Sequence, residues 1–408
     1  MQKRYDVLIA GGGLVGMTLG CALASAGLDV AVIDREKAVT QLAGEYDGRA
    51  SAISFGSAQV FKGIGLWSYL EKDASPIWDI RVADGHPLRG VSPLFLHYDH
   101  TDIGEEAFGY IIENRMTRVA LHKLAETLPN LTLVAPHAVE RLDRLPGYAE
   151  AVLDNGETIR AELAVACDGK FSPIRDAAGI KQTEWKYDQT AIVCTVAHER
   201  DHQGTAVELF LPGGPFAMLP MTEGRSNIVW SENKALVQDY LKLDDEAFLA
   251  ELSTRFGDWL GEIKLVGPRF AYPLSLSMAS TYIDDRLALA GDAGHAIHPI
   301  AGQGYNMGIR DVAALAEVLV DARRVGMDLG SRMTLENYEK WRRFDNVLLA
   351  SVCDGLLRLF SNDIDALRTV RDLGLAAVDK LPPVKKFLMH HAMGVVGELP
   401  RLVRGEAL

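Results

Sequence analysis

A glycine-rich hexapeptide near the N-terminus constrains the fold of this chain more than any other feature. It reads GGGLVG at residues 11–16 and matches the pattern GxGxxG. The hydrophobic pattern predicts a buried strand over 5–10 before it, a helix over 14–26 and a second strand over 29–34. In such a unit the first glycine makes a tight turn, the second lets a diphosphate approach the backbone, and the third lets helix and strand pack closely. The residues predicted to form this dinucleotide site are Gly11, Gly13, Leu14, Val15 and Gly16.

The same stretch has a competing interpretation as a signal peptide or a membrane helix. Residues 7–28 are 22 consecutive uncharged positions after Lys3 and Arg4, which is long enough to span a bilayer. Six of the 22 are glycines, and three of those are consecutive, so a spanning helix would be broken. We therefore favour the nucleotide-binding unit, and we expect no later segment to span a membrane.

A carboxylate follows the second predicted strand. Asp34 lies 18 residues beyond Gly16, where a carboxylate binds ribose hydroxyls and disfavours a 2′-phosphate. FAD or NAD therefore fits the unit better than NADP. No second GxGxxG occurs, so we do not expect a separate NAD(P)H domain. The lack of a CxxC or CxxxxC pair excludes the disulfide-reductase flavoproteins.

Composition excludes other classes of protein. The 408 residues are enough for two or three domains, since single cores rarely exceed about 250 residues. Lys and Arg number 42 against 55 Asp and Glu, a net charge of −13, so we do not expect nucleic acid as a partner. The four cysteines argue against a zinc site or a disulfide scaffold and suit a reducing cytoplasm. We expect no metal site.

Two further loops follow predicted buried strands. The first carries Asp168 within residues 164–175, and the second carries Asp292 and leads through a glycine-dense stretch into an amphipathic helix that includes Ile309. Loops at the carboxyl ends of strands are where a large cofactor lies across the edge of an α/β sheet. His298 in the second loop is a candidate acid or base, although a histidine in such a loop usually hydrogen-bonds the backbone.

Taken together, these motifs resemble the single-component FAD aromatic hydroxylases of the para-hydroxybenzoate hydroxylase fold. GxGxxG, DGxxSxxR at 168–175 and the Gly291-Asp292 pair carry this resemblance. More narrowly, three further strings are similar to the ubiquinone-biosynthesis hydroxylases: HPxxGQGxNxGxxD at 298–311, ENR at 113–115, and GPFAMLP at 214–220 followed by Trp230. One departure is Asp34, because these flavoproteins often carry Glu there, which reaches one methylene further.

The resemblance implies an α/β protein with a Rossmann-like FAD-binding domain, a β-rich substrate domain and a helical C-terminal region. Short alternating segments at 206–211, 216–221 and 227–230, separated by glycine-containing turns, are typical of hairpins and support the middle domain. The expected boundaries are 1–75, 113–184 and 281–325 for the discontinuous FAD-binding domain, 76–112 and 185–280 for the substrate domain, and 326–408 for the C-terminal region.

The resemblance also implies roles for individual residues. The expected FAD contacts are Asp34 and Arg35 at the adenosine ribose, Arg49 beside the flavin, Arg115, Asp168 in FAD positioning and nicotinamide use, and Asp292 at the ribityl chain or diphosphate. A helix N-terminus stabilises negative charge at the flavin N1–C2=O edge, and the residues expected there are Gly302, Gly304, Tyr305 and Asn306. The candidate catalytic residues are Arg49, His298 and Pro299. The alternatives are surface pairing for the two arginines and a simple Asp-Gly turn at Asp168.

Apolar residues of the middle domain form the predicted lining of a substrate cavity. They are Phe216, Met218, Leu219, Pro220 and Trp230. Ligand cavities are mostly apolar, and methionine adapts to irregular ligands. Simple core packing is the alternative for these side chains.

The C-terminal end differs in charge from the rest of the chain. Residues 380–404 carry five basic side chains and one acid, and apolar residues recur at helical spacing from Val384 to Leu399. A basic amphipathic end predicts contact with a membrane surface. A packed C-terminal helix with solvated lysines is the alternative.

By resemblance, the protein is expected to hydroxylate the aromatic ring of a polyprenylated phenol in ubiquinone biosynthesis. It would use FAD, NAD(P)H and O2 through a flavin C4a-hydroperoxide. We expect it in the cytoplasm and peripherally on the inner membrane, with other ubiquinone-synthesis proteins as partners. Three alternatives stay open: a hydroxylase of a soluble aromatic or polyketide, an FAD reductase that does not use O2, and a non-catalytic flavoprotein partner in a quinone-synthesis assembly.

Overall fold

The protein structure is a computed structural model that describes residues 4–37, 48–87, 89–104, 106–361 and 364–408. Within these ranges the strands form three sheets, and helices flank them. No helix in the described part of the chain is both long enough and apolar enough to cross a membrane.

Strands and helices alternate along the first part of the chain. Further on, several strands follow one another, and the last part is helical. The strands are β1 (Arg4–Ala10), β2 (Val30–Ile33), β3 (Ala50–Ser54), β4 (Ser75–Ile77), β5 (Asp79–His86), β6 (Gly90–Asp99), β7 (Gly109–Glu113), β8 (Leu131–Val134), β9 (Val139–Leu145), β10 (Tyr148–Leu153), β11 (Thr158–Ala166), β12 (Gln182–His198), β13 (Thr205–Leu211), β14 (Gly214–Met221), β15 (Arg225–Asn233), β16 (Ile263–Ala279), β17 (Ile283–Asp284), β18 (Leu287–Leu289) and β19 (His295–Ala296). The helices are α1 (Leu14–Ser25), α2 (Phe55–Gly63), α3 (Asn114–Glu126), α4 (Pro173–Ala177), α5 (Lys234–Lys242), α6 (Asp245–Phe256), α7 (Gln303–Arg324), α8 (Arg332–Phe360), α9 (Asp365–Asp379) and α10 (Pro382–Met393).

The first sheet contains the strand–turn–helix–strand unit that the glycine motif predicts. β1, α1 and β2 match the predicted bounds to within one residue at each end. β1 pairs in parallel with β2 and β11, and β11 pairs in parallel with β18. The path through the sheet is β17-β18-β11-β1-β2-β8, with β10 and β9 attached to β11. Because these strands are parallel, the loops after β1, β2, β11 and β18 meet at one edge.

The second sheet runs β19-β16-β12-β15-β14-β13-β5-β6 and is antiparallel except where β13 meets β5. Its strands β13, β14 and β15 confirm the three predicted hairpin segments. One surface of this sheet, which we call the outer face, carries Phe216, Met218 and Trp230 and packs on α5 and α6. The boundaries of the substrate domain stay predictions.

The opposite surface of the second sheet, which we call the inner face, carries Ala206, Glu208, Phe210, Ala217 and Asn227. The side-chain amide of Asn227 donates a hydrogen bond to the Gly48 carbonyl oxygen at 2.8 Å. Gly48 lies just before β3, which forms a small third sheet with β7 and β4. The inner face is therefore turned toward the first sheet and its loops.

The C-terminal helices cover another part of the inner face. Met389 and Met393 of α10 are buried in one cluster with Leu96 of β6. Arg371 of α9 and Asp84 of β5 form a buried ion pair at 2.7 Å. The inner face thus lies between the loops of the first sheet on one side and α8 to α10 on the other.

Candidate active site

The glycine turn after β1 is the first part of the site. Gly11 has φ +104°, and a Cβ there would lie 2.4 Å from the Cys167 carbonyl oxygen. A Cβ on Gly16 would lie 1.9 Å from the Gly11 carbonyl oxygen. Both positions therefore require glycine. A Cβ on Gly13, which caps the N-terminus of α1, would meet no atom within 4 Å, so the turn leaves open space in front of the helix.

Asp34 lies at the rim of this turn. Its carboxylate accepts hydrogen bonds from the backbone N–H groups of Gly12 at 2.6 Å and Glu36 at 2.7 Å. Arg35 beside it is exposed. The structure thus brings Asp34 and the glycine turn together, as expected for the ribose and the diphosphate of one dinucleotide.

The N-terminus of α7 is the second part of the site. Its cap, Gly302, has φ +62°, and a Cβ there would lie 2.9 Å from the Ala52 Cβ. A Cβ on Gly304 would meet no atom within 4 Å. The side chain of Asn306 donates to the Ala52 carbonyl oxygen at 2.7 Å and accepts from the Ser54 N–H at 2.9 Å. Asn306 therefore connects α7 to β3 through hydrogen bonds. Its side chain is used in this contact, so the backbone of the turn faces any ligand.

Val15 packs between the two helix N-termini. A Cβ on Gly308 would lie 2.7 Å from a Val15 methyl group, and one on Gly291 would lie 3.1 Å from it. The first turn of α1, the loop after β18 and the start of α7 are therefore in direct contact. Tyr305 lies beside this junction, with its ring centroid 6.4 Å from that of Phe61, so its ring belongs to the packing of α7 on α2.

A buried cluster behind the loop after β18 holds that loop in place. The Asp311 carboxylate contacts His295 Nε2 at 2.5 Å, Arg342 Nε at 3.0 Å and Asn346 Nδ2 at 3.1 Å. It also accepts from the Gly291 N–H at 3.1 Å. Burial alone would raise the pKa of this carboxyl, but His295 and Arg342 hold it well below its usual range. Asp311 belongs to the sequence motif at 298–311, whereas no sequence pattern indicated that Arg342 and Asn346 would contact it.

A second buried arginine joins the two acidic loops. Arg175 donates to the Lys170 carbonyl oxygen at 2.9 Å and to the Ala293 carbonyl oxygen at 3.2 Å. It is 2% exposed, so both carbonyl oxygens are held in the interior. Sequence reasoning noted Arg175 only as part of a motif and did not assign it this role.

Asp168 and Asp292 lie on the loops that Arg175 joins. Asp168 Oδ1 is buried and has no hydrogen-bond partner among the described residues, and this burial raises the pKa of the carboxyl. Asp292 is exposed to solvent, yet the surrounding protein raises the pKa of its carboxyl, and His295 opposes the rise. Two carboxyl groups in a partly desolvated setting are suited to bind hydroxyl groups of a ligand.

The predicted arginines lie at the opposite side of the site. Arg49 is exposed, with its guanidinium 5.7 Å from the Tyr272 ring centroid. Arg115 donates to Glu113 at 2.5 Å, and the same carboxylate contacts Arg225 at 3.1 Å. Arg115 is thus an ion-paired residue at the start of α3, whereas Arg49 stands at the edge of the inner face.

His298 is buried in the loop before α7. Its Nδ1 accepts the Ile300 N–H at 3.2 Å, which places the proton of the neutral ring on Nε2. Burial lowers the pKa of His298 to about 4, so the ring is uncharged at neutral pH. Pro299, which follows it, accepts the Gly302 N–H at 2.9 Å and shapes the turn into α7. Nδ1 thus supports the backbone, whereas Nε2 is buried and has no hydrogen-bond partner among the described residues, so the candidate role of His298 stays a prediction.

The five predicted cavity residues do not lie together. Side chains alternate along a strand, so the consecutive residues of β14 point to opposite faces. Phe216, Met218 and Trp230 are at most 2% exposed and lie in the outer-face core with Phe248. Pro220, by the same alternation, shares their face. Only Leu219 lies on the inner face, in a cluster with Ala52.

The comparisons with known proteins agree with this geometry. The chain matches the FAD binding domain family over residues 4–344, which defines its class as an FAD-binding flavoprotein. It is 50% identical over 410 aligned residues to the ubiquinone hydroxylase UbiL of Rhodospirillum rubrum, covering 100% of this chain and 94% of that protein. It is 34% identical to the 3-demethoxyubiquinol 3-hydroxylase of Escherichia coli, covering 97% and 100%.

Among solved structures, the p-nitrophenol 4-monooxygenase PnpA of Pseudomonas putida superimposes with a TM-score of 0.79 over 96% of this chain and 99% of that one. At 21% identity this likeness shows the fold alone. The chain belongs to the ubiquinone-biosynthesis hydroxylases, a family of FAD-dependent monooxygenases. The resemblance drawn from the sequence motifs and the expectation of FAD are both confirmed.

The described residues fit FAD. Two helix N-termini that are in contact with each other both present a glycine with open space in front of it, Gly13 and Gly304. An unpartnered buried carboxylate oxygen, Asp168 Oδ1, lies on the adjoining loop. This is the arrangement that a diphosphate at one helix and an electron-rich ring edge at the other require. Within the described residues, no group of three or more His, Cys, Asp or Glu side chains is placed to hold a metal ion.

Proposed function

We propose that this protein hydroxylates the aromatic ring of a polyprenylated phenol on the route to ubiquinone, with NAD(P)H and O2 as co-substrates. The observation that carries the proposal is the 50% identity to a ubiquinone hydroxylase over the whole chain. Bound FAD supplies the redox chemistry that links NAD(P)H oxidation to activation of O2. The residues of this chain bind, orient and shield the reactants.

The cofactor is held by backbone and carboxylates in this proposal. Gly11, Gly13 and the start of α1 hold the diphosphate, Asp34 holds the adenosine ribose, and Asp292 holds the hydroxyl-bearing linker. The N–H groups at the start of α7 then face the flavin ring. Since a helix N-terminus carries positive partial charge, it stabilises negative charge on the reduced ring.

The aromatic ring of the substrate lies over the inner face of the second sheet. Ala206, Ala217 and Leu219 give this surface an apolar character, and β3 and the start of α7 lie beside it. An apolar surface disfavours water beside a reactive oxygen species and favours a neutral ring with a hydrocarbon tail.

The lipid-like tail of such a substrate calls for contact with a membrane surface. The C-terminal helices expose apolar side chains on successive turns, and these are Phe344, Leu348, Val352 and Leu356 on α8, Val370 and Leu373 on α9, and Leu381, Val384 and Phe387 at α10. We infer that α8 to α10 dock on the bilayer, because exposed apolar stripes on consecutive helices suit the headgroup–acyl boundary.

The basic residues of 380–404 contribute less to this docking than the charge count implies. Lys385 contacts Asp102 at 3.1 Å, Arg401 contacts Asp321 at 2.6 Å, and Arg404 contacts Glu406. Leu402 and Val403 are buried in the core beside α2. The end of the segment therefore matches the packed alternative, and the membrane contact is proposed for the apolar side chains before it.

Product analysis of the purified protein tests the proposed reaction. Incubation with FAD, NAD(P)H, O2 and a phenol that carries one or two isoprene units should give a product heavier by one oxygen atom, labelled from 18O2. A reductase would give a reduced product without label, and a non-catalytic partner would give no product. A hydroxylase of soluble aromatics would act equally well on the phenol that lacks the isoprene tail.

A further inference from the structure

Glu208 is a carboxyl group on the inner face of the second sheet that forms no ion pair among the described residues. Glu208 lies in the middle of β13, between Ala206 and Phe210, and its register partners are Ala217 of β14 and Val82 of β5. β13 is an interior strand of the second sheet, with a neighbour on each side. The Glu208 side chain therefore cannot reach solvent past a sheet edge and must project from the inner face.

The residues that flank Glu208 on β13 place it beside the start of α7. Ala206 belongs to the apolar cluster that includes Ala52, whose Cβ lies 2.9 Å from a Cβ position on Gly302. Phe210 belongs to the cluster that includes Ile300, two residues before that glycine. Glu208 thus lies between two clusters that both reach the turn expected to face the flavin ring.

The strand residues next to Glu208 are buried, whereas part of the Glu208 side chain is accessible. Its strand neighbours Leu209 and Phe210 are 3% and 5% exposed, whereas Glu208 itself is partly exposed. Among the described residues it has no side-chain hydrogen bond and no ion pair. A carboxyl group without a protein partner at an interior strand position is suited to accept one from a ligand.

The charged neighbours do not supply that partner. Four titratable or charged groups of the described residues lie near this part of the inner face: Cys353 of α8, Arg310 of α7, and Asp84 of β5 with Arg371 of α9. Asp84 and Arg371 pair with each other, and burial raises the pKa of Cys353 to about 11, with Glu208 adding to the rise and Arg310 opposing it. Burial raises the pKa of Glu208 to about 8, so its carboxyl group is protonated at neutral pH and can donate as well as accept.

We propose that Glu208 binds the hydroxyl group of the substrate ring, and this inference rests on the proposed function. The carboxyl O–H donates to the phenol oxygen, and its carbonyl oxygen accepts the phenol O–H. A pair of hydrogen bonds to one ring substituent fixes the rotation of the ring over the inner face. Glu208 would then decide which ring carbon faces the flavin, while the apolar surface binds the rest of the ring.

Ligand binding to the oxidised, FAD-loaded protein tests this role without turnover. The probes are a phenol with one isoprene unit and the prenylated benzene that lacks its hydroxyl group, each titrated by the change in flavin absorbance. Glu208→Leu should weaken binding of the phenol on the order of tenfold and leave binding of the benzene, which offers Glu208 no donor or acceptor, within about twofold. Glu208→Gln, which also donates and accepts, should bind the phenol within about threefold of wild type.

The pH dependence gives a second measurement. Wild-type affinity for the phenol should fall above about pH 8, where the Glu208 carboxyl loses its proton, and Glu208→Gln should lack that fall. Glu140→Leu, an exposed strand carboxylate of the first sheet, is the matched control and should change neither affinity nor FAD content. Equal loss of affinity for the phenol and for the prenylated benzene in Glu208→Leu, or no loss of either, would overturn the proposal.

Failure of this role can be told apart from failure of the proposed function. If wild type binds and hydroxylates the prenylated phenol but Glu208→Leu retains the wild-type affinity for it, Glu208 is a packing residue and the reaction stands. If wild type neither binds nor hydroxylates the phenol, the proposed function itself is wrong.

Discussion

At the scale of single residues, the cofactor site depends on glycines whose surroundings differ. At Gly16 the Gly11 carbonyl oxygen occupies the place of a side chain, whereas at Gly13 and Gly304 the protein leaves that place open. The backbone requires the first kind of glycine, and we propose that the bound cofactor requires the second kind. The difference separates folding from binding at neighbouring positions of one turn.

Substituting these glycines one at a time should give two distinct results. Gly13→Ala should leave the thermal unfolding midpoint of the apoprotein unchanged, because the added methyl group meets no protein atom, but lower FAD affinity at least tenfold. Gly16→Ala should destabilise the apoprotein by about 1–3 kcal/mol, since the methyl group overlaps the backbone. Thermal melts and FAD titrations by fluorescence quenching measure both quantities. Unchanged FAD binding in Gly13→Ala would remove the diphosphate from this turn.

Asp292 offers a test of the second acidic loop. Asp292→Ala should lower the FAD content of the purified protein sharply, because the variant loses a carboxyl group that faces the ligand from the loop after β18. The exposed side chain makes few contacts that folding needs, so solubility and circular dichroism should not change. Asp143→Ala, on a strand of the same sheet, should retain full FAD occupancy. Full occupancy after dialysis in Asp292→Ala would place the cofactor linker elsewhere.

At the scale of elements, hydrophobic period and motif spacing predicted strands and helices of this fold. They did not predict which face of the sheet each strand side chain would occupy. Phe216 to Pro220 are all apolar, so composition alone could not say which of them faces a cavity. Pairing with β13 and β15 turns Phe216 and Met218 to the outer face and Ala217 and Leu219 to the inner face. Tertiary pairing therefore supplies information that an apolar run does not contain.

The buried cluster of Asp311 could not be assembled from sequence for a different reason. His295 comes from β19, and Arg342 and Asn346 come from α8. The two α8 residues meet Asp311 only because α7 and α8 pack together. Buried charges must be paired to be tolerated, but sequence does not show which charged residues will be buried. Glu208 escaped notice in the same way, as one acid among many until its strand was placed.

The contribution of Asp311 to stability, through the packing of α7 against α8, should depend on pH. Asp311→Asn should lower the free energy of unfolding by about 3–5 kcal/mol at pH 7, because Arg342 and His295 lose their buried partner. The pKa of Asp311 is lowered in the folded protein, so its contribution is complete above the usual carboxyl pKa near 4 and is lost as the pH falls through the folded value. Urea unfolding followed by circular dichroism should show the two proteins converging toward acid pH.

Asp239→Asn provides the control for that measurement, since its carboxylate is 77% exposed and its ion pair within the described ranges is with Lys242 of the same helix, α5. It should leave the unfolding midpoint unchanged at every pH. A wild-type stability advantage over Asp311→Asn that stays constant down to pH 3 would contradict the assignment of the charge to Asp311.

At the scale of the whole molecule, an acidic protein exposes apolar side chains on consecutive C-terminal helices. The net charge of −13 opposes electrostatic attraction to an anionic membrane, and several basic residues near the C-terminus are already ion-paired. Burial of apolar side chains in the interface is then the main attraction that α8 to α10 can provide.

Replacing the exposed side chains of α10 should separate membrane contact from catalysis. Leu381→Ser, Val384→Ser and Phe387→Ser together should abolish sedimentation with liposomes and slow turnover of long-chain prenylphenols several-fold. Turnover of a phenol with one isoprene unit should not change, because it reaches the site from solution. Val325→Ser with Leu236→Ser, which alter side chains 72% and 47% exposed outside α8 to α10, should sediment as wild type does. Sedimentation of the triple variant at the wild-type level would place the membrane contact elsewhere.

The contact of Val15 with Gly291 and Gly308 has a consequence for how the protein is made. The first residues of the flavin site leave the ribosome early, but the segments that complete it follow only after most of the chain has been translated. Asp311 is fixed by Arg342 and Asn346, which emerge later still. A nascent chain that already contains the strand–turn–helix unit therefore lacks the second helix N-terminus that FAD needs. Since contacts between distant segments form slowly, the apoprotein must fold nearly to completion before FAD can stabilise it.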